Sequence, residues 1–287
     1  MHKFSMARGA AWMVMALVLL WGIPARPNPL HAGQEADSQA DKRQREARLT
    51  GMRERAASFK VERIVDGDRR PVEFHSIPVF RYSDQPRGFV DATLWCWGTR
   101  GRPAAIAKVE MVVDGNGAPF WQYCLASIAD GPIAVDFGVR RFATDKPGIE
   151  FKPVPGAIAP QDTPAARLRQ MKELFARFSA TIHSKHVDAV DLVKQEMRPL
   201  ASPIHRYSDA DVEDGVIFGL TTNGTNPDLL LLVELRSDGG TATTCHYGVV
   251  RMTDGELHVR FDGKEVWDSP YQAPRITWTS VFLRRTD

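Results

Sequence analysis

The segment Pro78-Val79-Phe80-Arg81-Tyr82-Ser83-Asp84 returns later in the chain as Pro203-Ile204-His205-Arg206-Tyr207-Ser208-Asp209. Carried forward with small gaps, the register pairs Asp91 with Asp214, Gly101 with Gly224, Glu110 with Glu234, Asp114-Gly115 with Asp238-Gly239 and Tyr123 with Tyr247. A repeat of this length constrains the fold strongly, because each copy has to reach the same supersecondary unit and bury its apolar face against something. The chain therefore reads as a duplication. The two copies also allow a comparison inside one sequence, since a residue kept in both is more simply explained by the fold than by a site, and sites are few per protein.

Lys3 and Arg8 precede an unbroken apolar run from Ala10 to Ile23, followed by Pro and small residues up to Ala32-Gly33. The run is shorter than the roughly 20 residues a bilayer span needs and suits a secretory signal peptide, residues 1–32, with cleavage near Ala32. An exported protein, periplasmic, envelope-associated or secreted, is expected, with no stable membrane span after cleavage. The loss of Lys3, Arg8 and Arg26 leaves 34 basic against 35 acidic groups. That neutral balance lacks the basic footprint of nucleic-acid binding. Cys96, Cys124 and Cys245 fall at unrelated places in the two copies, so no repeated bridge holds the fold, and buried thiols are expected.

Residues 33–58 form a charged, partly helical lead segment with a sparse apolar row at Leu49, Met52 and Ala56. The first β module, 59–150, shows strand-like stretches at Phe59–Val65, Phe89–Trp97, Ile106–Val113 and Phe120–Ile128, separated by Asp-Gly turns. Residues 151–186 comprise a Pro-rich linker and an amphipathic helix, capped by Thr163 with Pro164 at its first position. Its predicted stripe runs Leu168, Met171, Phe175, Phe178, Ile182. The second module, 187–287, places strands near Gly215–Thr221, Leu229–Leu235, Cys245–Met252 and Leu257–Phe261, with a further one in the tail from Arg275 to Leu283. Leu229 to Val233 is apolar on both faces, which predicts a strand in mid-sheet. The fold class is α+β: two related antiparallel β-sheet modules joined by the linker and the helix.

Ligand-binding candidates are Arg81, Asp84, Arg206 and Asp209, because Arg and Asp together hold anionic or sugar ligands by charge-assisted bonds. The structural reading takes precedence for them: Tyr buried under the sheet, Ser and Asp closing a turn, Arg paired with a local acid. Trp121 is the fifth candidate, since its counterpart is Cys245, and an aromatic special to one copy suits a carbohydrate platform. A catalytic route opens only if the Arg residues, Asp91/Asp214 and Glu110/Glu234 converge across a pseudo-twofold axis. His183-Ser184-Lys185-His186 has too few ligands for a metal site, and Asn223-Gly224-Thr225 reads as a turn. No phosphate loop, nucleophile elbow or zincin motif occurs, so no catalytic residue, cofactor or metal is assigned.

The Pro-x-x-Arg-Tyr-Ser-Asp segments, the Gly224-Thr225-Asn226-Pro227-Asp228 turn, the Leu168–Leu174 helix and Glu265-Val266-Trp267 together resemble a family of uncharacterised exported bacterial proteins with this two-copy layout. That resemblance implies the layout and no activity. The expected function is a binding or structural protein of the envelope or extracellular space, with a carbohydrate or a protein as ligand. The alternatives are a hydrolase-type enzyme with a site between the copies and a self-assembling surface protein.

Overall fold

The computed structural model of the protein describes residues 29–138, 141–184, 193–237, 243–272 and 282–286, with side chains described from residue 39 onward except those of 282–285. The chain divides into two units, 1–44 and 45–287, and every strand among the described residues lies in the second. The signal-peptide expectation falls largely outside the described residues. No helix among the described residues is long and apolar enough to cross a membrane.

Helix α1 (Pro29–Ala57) leads into β1 (Lys60–Val65), β2 (Asp68–Pro71), β3 (Phe80–Asp84), β4 (Phe89–Trp97), β5 (Ala105–Val113), β6 (Pro119–Ser127), β7 (Ile133–Asp136) and β8 (Arg141–Ala143). The linker contributes β9 (Phe151–Pro153). Helix α2 (Pro164–Phe175) is followed by β10 (Phe178–Ser184), β11 (Val193–Glu196), β12 (Arg198–Pro199), β13 (His205–Tyr207), β14 (Val212–Thr221), β15 (Leu229–Arg236), β16 (Thr244–Arg251), β17 (Glu256–Phe261) and β18 (Lys264–Ser269). The last strand is β19 (Phe282–Thr286).

The protein is α+β, with four antiparallel sheets ordered β2-β1-β7-β8, β19-β6-β5-β4-β3, β12-β14-β15-β16-β9 with β13 also on β14, and β11-β10-β17-β18. The two larger sheets lie back to back in the middle. Leu94, Cys96, Ile106, Cys124 and Ala126 from one share a core with Ile217, Leu230, Leu232 and Val250 from the other. On its far face the first large sheet buries Trp95, Trp97, Val109 and Leu125 under Met52 and Ala56 of α1 and under Val61, Val135 and Phe142. The second buries Phe218, Leu231, Val233 and Val249 under Met171, Leu174 and Phe175 of α2 and under Phe178, Val259 and Phe261. Each large sheet is thus apolar on both faces, which is why Leu229 to Val233 carries no alternation.

The order helix, two strands, meander, hairpin that follows α1 recurs after α2. The helix expected through Ile182 ends at Phe175 instead, with Ala176 at its C-cap. Phe178, Ala180 and Ile182 lie on one face of β10 and Ser179, Thr181 and His183 on the other, and the strand pairs with β17 from Phe178↔Phe261 to His183↔Glu256. Spacings of three and four extended the helical stripe by coincidence into a run whose period is two. Helix α2 packs on the second large sheet as α1 packs on the first.

Two further elements reach across. Strand β9, from the linker, pairs with β16, so the Pro-rich segment begins as part of the second large sheet. The tail strand β19 pairs with β6 of the first, Leu283 opposite Leu125. Residues 275–281 of the expected tail strand lie outside the described residues. Cys96, Cys124 and Cys245 are all buried and none forms a disulfide. Burial pushes the Cys245 thiol up to about 11 and that of Cys96 further, so neither is a thiolate at neutral pH.

Candidate functional site: the cleft between the large sheets

Each letter of the repeated Arg-Tyr-Ser-Asp has a definite partner. Arg81 on β3 donates from Nε and Nη2 to the two carboxylate oxygens of Asp91 at 2.9 and 2.5 Å, and also to the carbonyl of Arg45 in α1. Arg48, one turn on, donates to the same carboxylate at 2.9 Å. Arg206 repeats this with Asp214 at 2.8 and 2.5 Å and with the carbonyl of Pro164 in α2, where Arg167 replaces Arg48. The Arg–Asp pairs therefore fasten each helix to its sheet. Burial works to raise the Asp91 carboxyl, but the bonds from Arg81 and Arg48 outweigh it and hold the group below its ordinary value.

The tyrosines point the other way, into the space between the large sheets. Tyr82 donates its hydroxyl to Glu110 at 2.6 Å, and Tyr207 donates to Glu234 at 2.6 Å. Burial, with the carboxylate next to each ring, raises both phenols well above the usual tyrosine range. The aspartates then cross between the halves. Asp209 accepts from the backbone of Asp211 and Val212 and lies against Gly101, where a Cβ would come within 2.3 Å of its Oδ2. Asp84 lies in the same way against Gly224, whose Cβ would sit 2.9 Å from its Cγ. Both glycines have positive φ, 70° and 56°, so each turn of one half is shaped to admit the aspartate of the other.

Glu110 and Glu234 do not meet. Glu110 is reached by Asn226 in the turn before β15, whereas Glu234 lies near the end of that strand, five residues beyond its first residue Leu229, or roughly 17 Å at strand rise. The two ends of the interface then differ. At the Glu234 end, Arg102 donates at 2.9 and 3.0 Å to the two carboxylate oxygens and stacks on Phe151, its centre 4.8 Å from the ring. At the Glu110 end there is instead a cleft of about 580 Å³.

The floor of this cleft is charged. Lys108 and Glu110 stand two apart on β5 and so share a face, and they are 2% and 0% exposed. The Lys108 ammonium donates to Oδ1 of Asn226 at 2.7 Å and to the carbonyl of Met252 at 2.9 Å. Glu110 accepts from Tyr82, from Gln122 at 2.8 Å and from Asn226 at 3.3 Å, with the Cys124 thiol 4.0 Å away. Asp228, in the turn before β15, accepts from Arg87 at 2.8 Å and from the backbone and hydroxyl of Thr222 at 3.0 and 2.9 Å. Arg87 also pairs with Asp84. Phe89, Ser184, Gln195, Asn223 and Thr253 complete the wall.

No family model, curated protein or solved structure matches the chain.

Set against the sequence candidates, the structure puts Arg81, Asp84, Arg206 and Asp209 in the contacts just described. Arg206 and Asp209 also border a smaller hollow of about 390 Å³ with His75 and His205, whose rings lie 6.1 Å apart. Trp121 is half-buried, and the Arg55 guanidinium covers one of its faces at 4.3 Å. The Asn223-Gly224-Thr225 turn connects β14 to β15 and forms one rim of the cleft.

The cleft residues Lys108, Gln122, Asn226 and Asp228 escaped sequence reasoning. One signal was present: Lys108 stands two residues before Glu110, at a position where the second half has Leu232 two residues before Glu234.

Proposed function

We propose that the protein is an exported binding protein, built by duplication of one helix-and-sheet module, whose cleft at the Glu110 end takes a small neutral polar ligand of saccharide type. The observation that carries this reading is Lys108. A buried ammonium costs several kcal/mol of lost hydration unless its donors are used. Two of its three N–H groups have partners, to Asn226 and to the Met252 carbonyl, and Lys108 is among the residues that line the cleft. The second half dispenses with this charge by using Leu232, so the fold itself does not require it.

The remaining wall supports a hydroxyl-bearing ligand. The side-chain amides of Gln122, Gln195 and Asn223, the hydroxyls of Ser184, Thr222 and Thr253 and the ring of Phe89 supply donors, acceptors and one apolar surface. Arg87 is matched by Asp84 and Asp228, which leaves little net charge to favour an ion. The volume falls within the range usual for small-molecule sites, roughly 300–1,000 Å³.

A hydrolase is the less favoured reading. Glu110, the carboxylate a general base would need, already accepts three hydrogen bonds and has the Cys124 thiol against it, so its lone-pair sites are taken.

The test is calorimetric titration of the full chain with a panel of neutral mono- and disaccharides, repeated on Asn223→Ala and Gln195→Ala. Both residues stand at the rim, where truncation leaves stability within about 0.5 kcal/mol. Binding to the native chain that weakens in both variants supports the proposal. Absence of binding across the panel, or binding indifferent to both substitutions, counts against it.

A further inference from the structure

The face of the sheet β11-β10-β17-β18 opposite Phe178, Ala180 and Ile182 carries a second, partly exposed cluster, none of whose three residues lines the cleft. Glu256 and His258 stand two apart on β17 and therefore point to the same side. His183 on β10 is the cross-strand partner of Glu256. The three side chains meet: Oε1 of Glu256 lies 2.9 Å from Nε2 of His258 and 3.2 Å from Nδ1 of His183, and the donor atoms all fall within 4.8 Å of one another.

The two separations from Glu256, 2.9 and 3.2 Å, come close to the spacing a small cation would demand. With bonds of roughly 2.0–2.1 Å in a tetrahedron, neighbouring ligand atoms sit about 3.3 Å apart. Two imidazoles and one carboxylate suit Zn²⁺ and its first-row neighbours, and are too rich in nitrogen for Mg²⁺ or Ca²⁺. A further observation points the same way. The other ring nitrogen of His258, Nδ1, lies 2.9 Å from Oε2 of Glu265 on β18. A carboxylate behind a histidine fixes the ring so that its Nε2 lone pair faces the site, which is the arrangement that supports metal-bound imidazoles.

The ladders of three strands hold the donors, so little ordering remains to be done on binding. Thr181, the cross-strand partner of His258, has a buried hydroxyl with no hydrogen-bond partner among the described residues. The frame does not need the cluster. In the first half Phe59 packs on Phe137 as Phe178 packs on Phe261, and counting from those pairs puts Ile64 and Ala134 where His183 and His258 stand.

We propose that His183, Glu256 and His258 form a site for one divalent transition-metal ion of the Zn²⁺ class, with Glu265 as the residue that positions His258. The test is titration of the full chain with ZnCl₂, and with Co²⁺ as a spectroscopic probe, for the native protein and for His183→Ala, His258→Ala, Glu265→Gln and the control His75→Ala. The expected result is one ion per chain and Co²⁺ absorption bands of a four-coordinate site. His258→Ala should abolish uptake, His183→Ala should weaken it at least tenfold, and His75→Ala should leave it unchanged. Glu265→Gln should weaken it by about 10–100-fold. All four positions are surface positions, and circular dichroism confirms that each variant is folded. No uptake by the native chain, as expected if His258 is held only as an imidazolium between its two glutamates, overturns the proposal. So does uptake that survives both histidine substitutions, while full affinity in Glu265→Gln removes the positioning role.

Discussion

At the residue scale the interface between the large sheets rests on groups that cannot be left without partners. Arg102→Ala would abandon Glu234, which is 0% exposed and would keep Tyr207 as its close donor. Breaking a buried pair from one side costs about 3–5 kcal/mol, which a denaturant melt of the variant would register as a lower midpoint. Gly101→Ala and Gly224→Ala each place a methyl group on an aspartate of the other half, in a backbone conformation that L side chains resist. Both should destabilise by about 1–3 kcal/mol, whereas Gly115→Ala, which meets nothing within 4 Å, should be nearly silent. Equal melting temperatures for Gly101→Ala and Gly115→Ala would refute the reciprocal fit.

At the scale of elements, each helix is held by an apolar row and by one carboxylate. Asp91 bonds Arg81 on β3 and Arg48 on α1 together. Its carboxyl is held below the unfolded value near 3.9, so its contribution is fully present above that pH and is lost as pH falls through the lower, folded value. Asp91→Asn should therefore lower stability at neutral pH and lose its difference from the native chain toward pH 2. A difference that persists undiminished in acid would show that the charge is not what fastens α1. The elements also show where sequence reasoning was sufficient. Strands β4, β5, β14 and β15 were legible because their residues are apolar on both faces or bounded by Gly turns. Strand β10 was not, because Phe178 and Ile182 stand four apart, a spacing that fits both periods, and only pairing with β17 decides between them. A tail strand was expected over Arg275–Leu283; the described one, Phe282–Thr286, overlaps it at Phe282 and Leu283 and joins the first sheet, since partner choice is a tertiary property.

For the whole molecule, the halves share one core in the middle, so neither should fold alone. A fragment of residues 45–150 would expose Leu94, Ile106 and Ala126 together with Lys108. It should aggregate or remain molten, while the intact chain unfolds in a single transition seen alike by tryptophan fluorescence and circular dichroism. The repeated motif was readable in the sequence, and the structure gives its arginines and tyrosines partners within the fold. The cleft was not, because it depends on a difference between the copies, Lys108 against Leu232, whose meaning appears only once both side chains face the same interface.

The most direct measurement is backbone amide hydrogen exchange on the full chain with and without the tightest-binding saccharide of the panel. A ligand in the cleft predicts slowed exchange in residues 222–228 and along β5 and β6 near Lys108 and Gln122, with no change around Trp267. Protection confined to 205–209 and 98–101, beside His75 and His205, would place the ligand at the repeated motif instead and contradict the account.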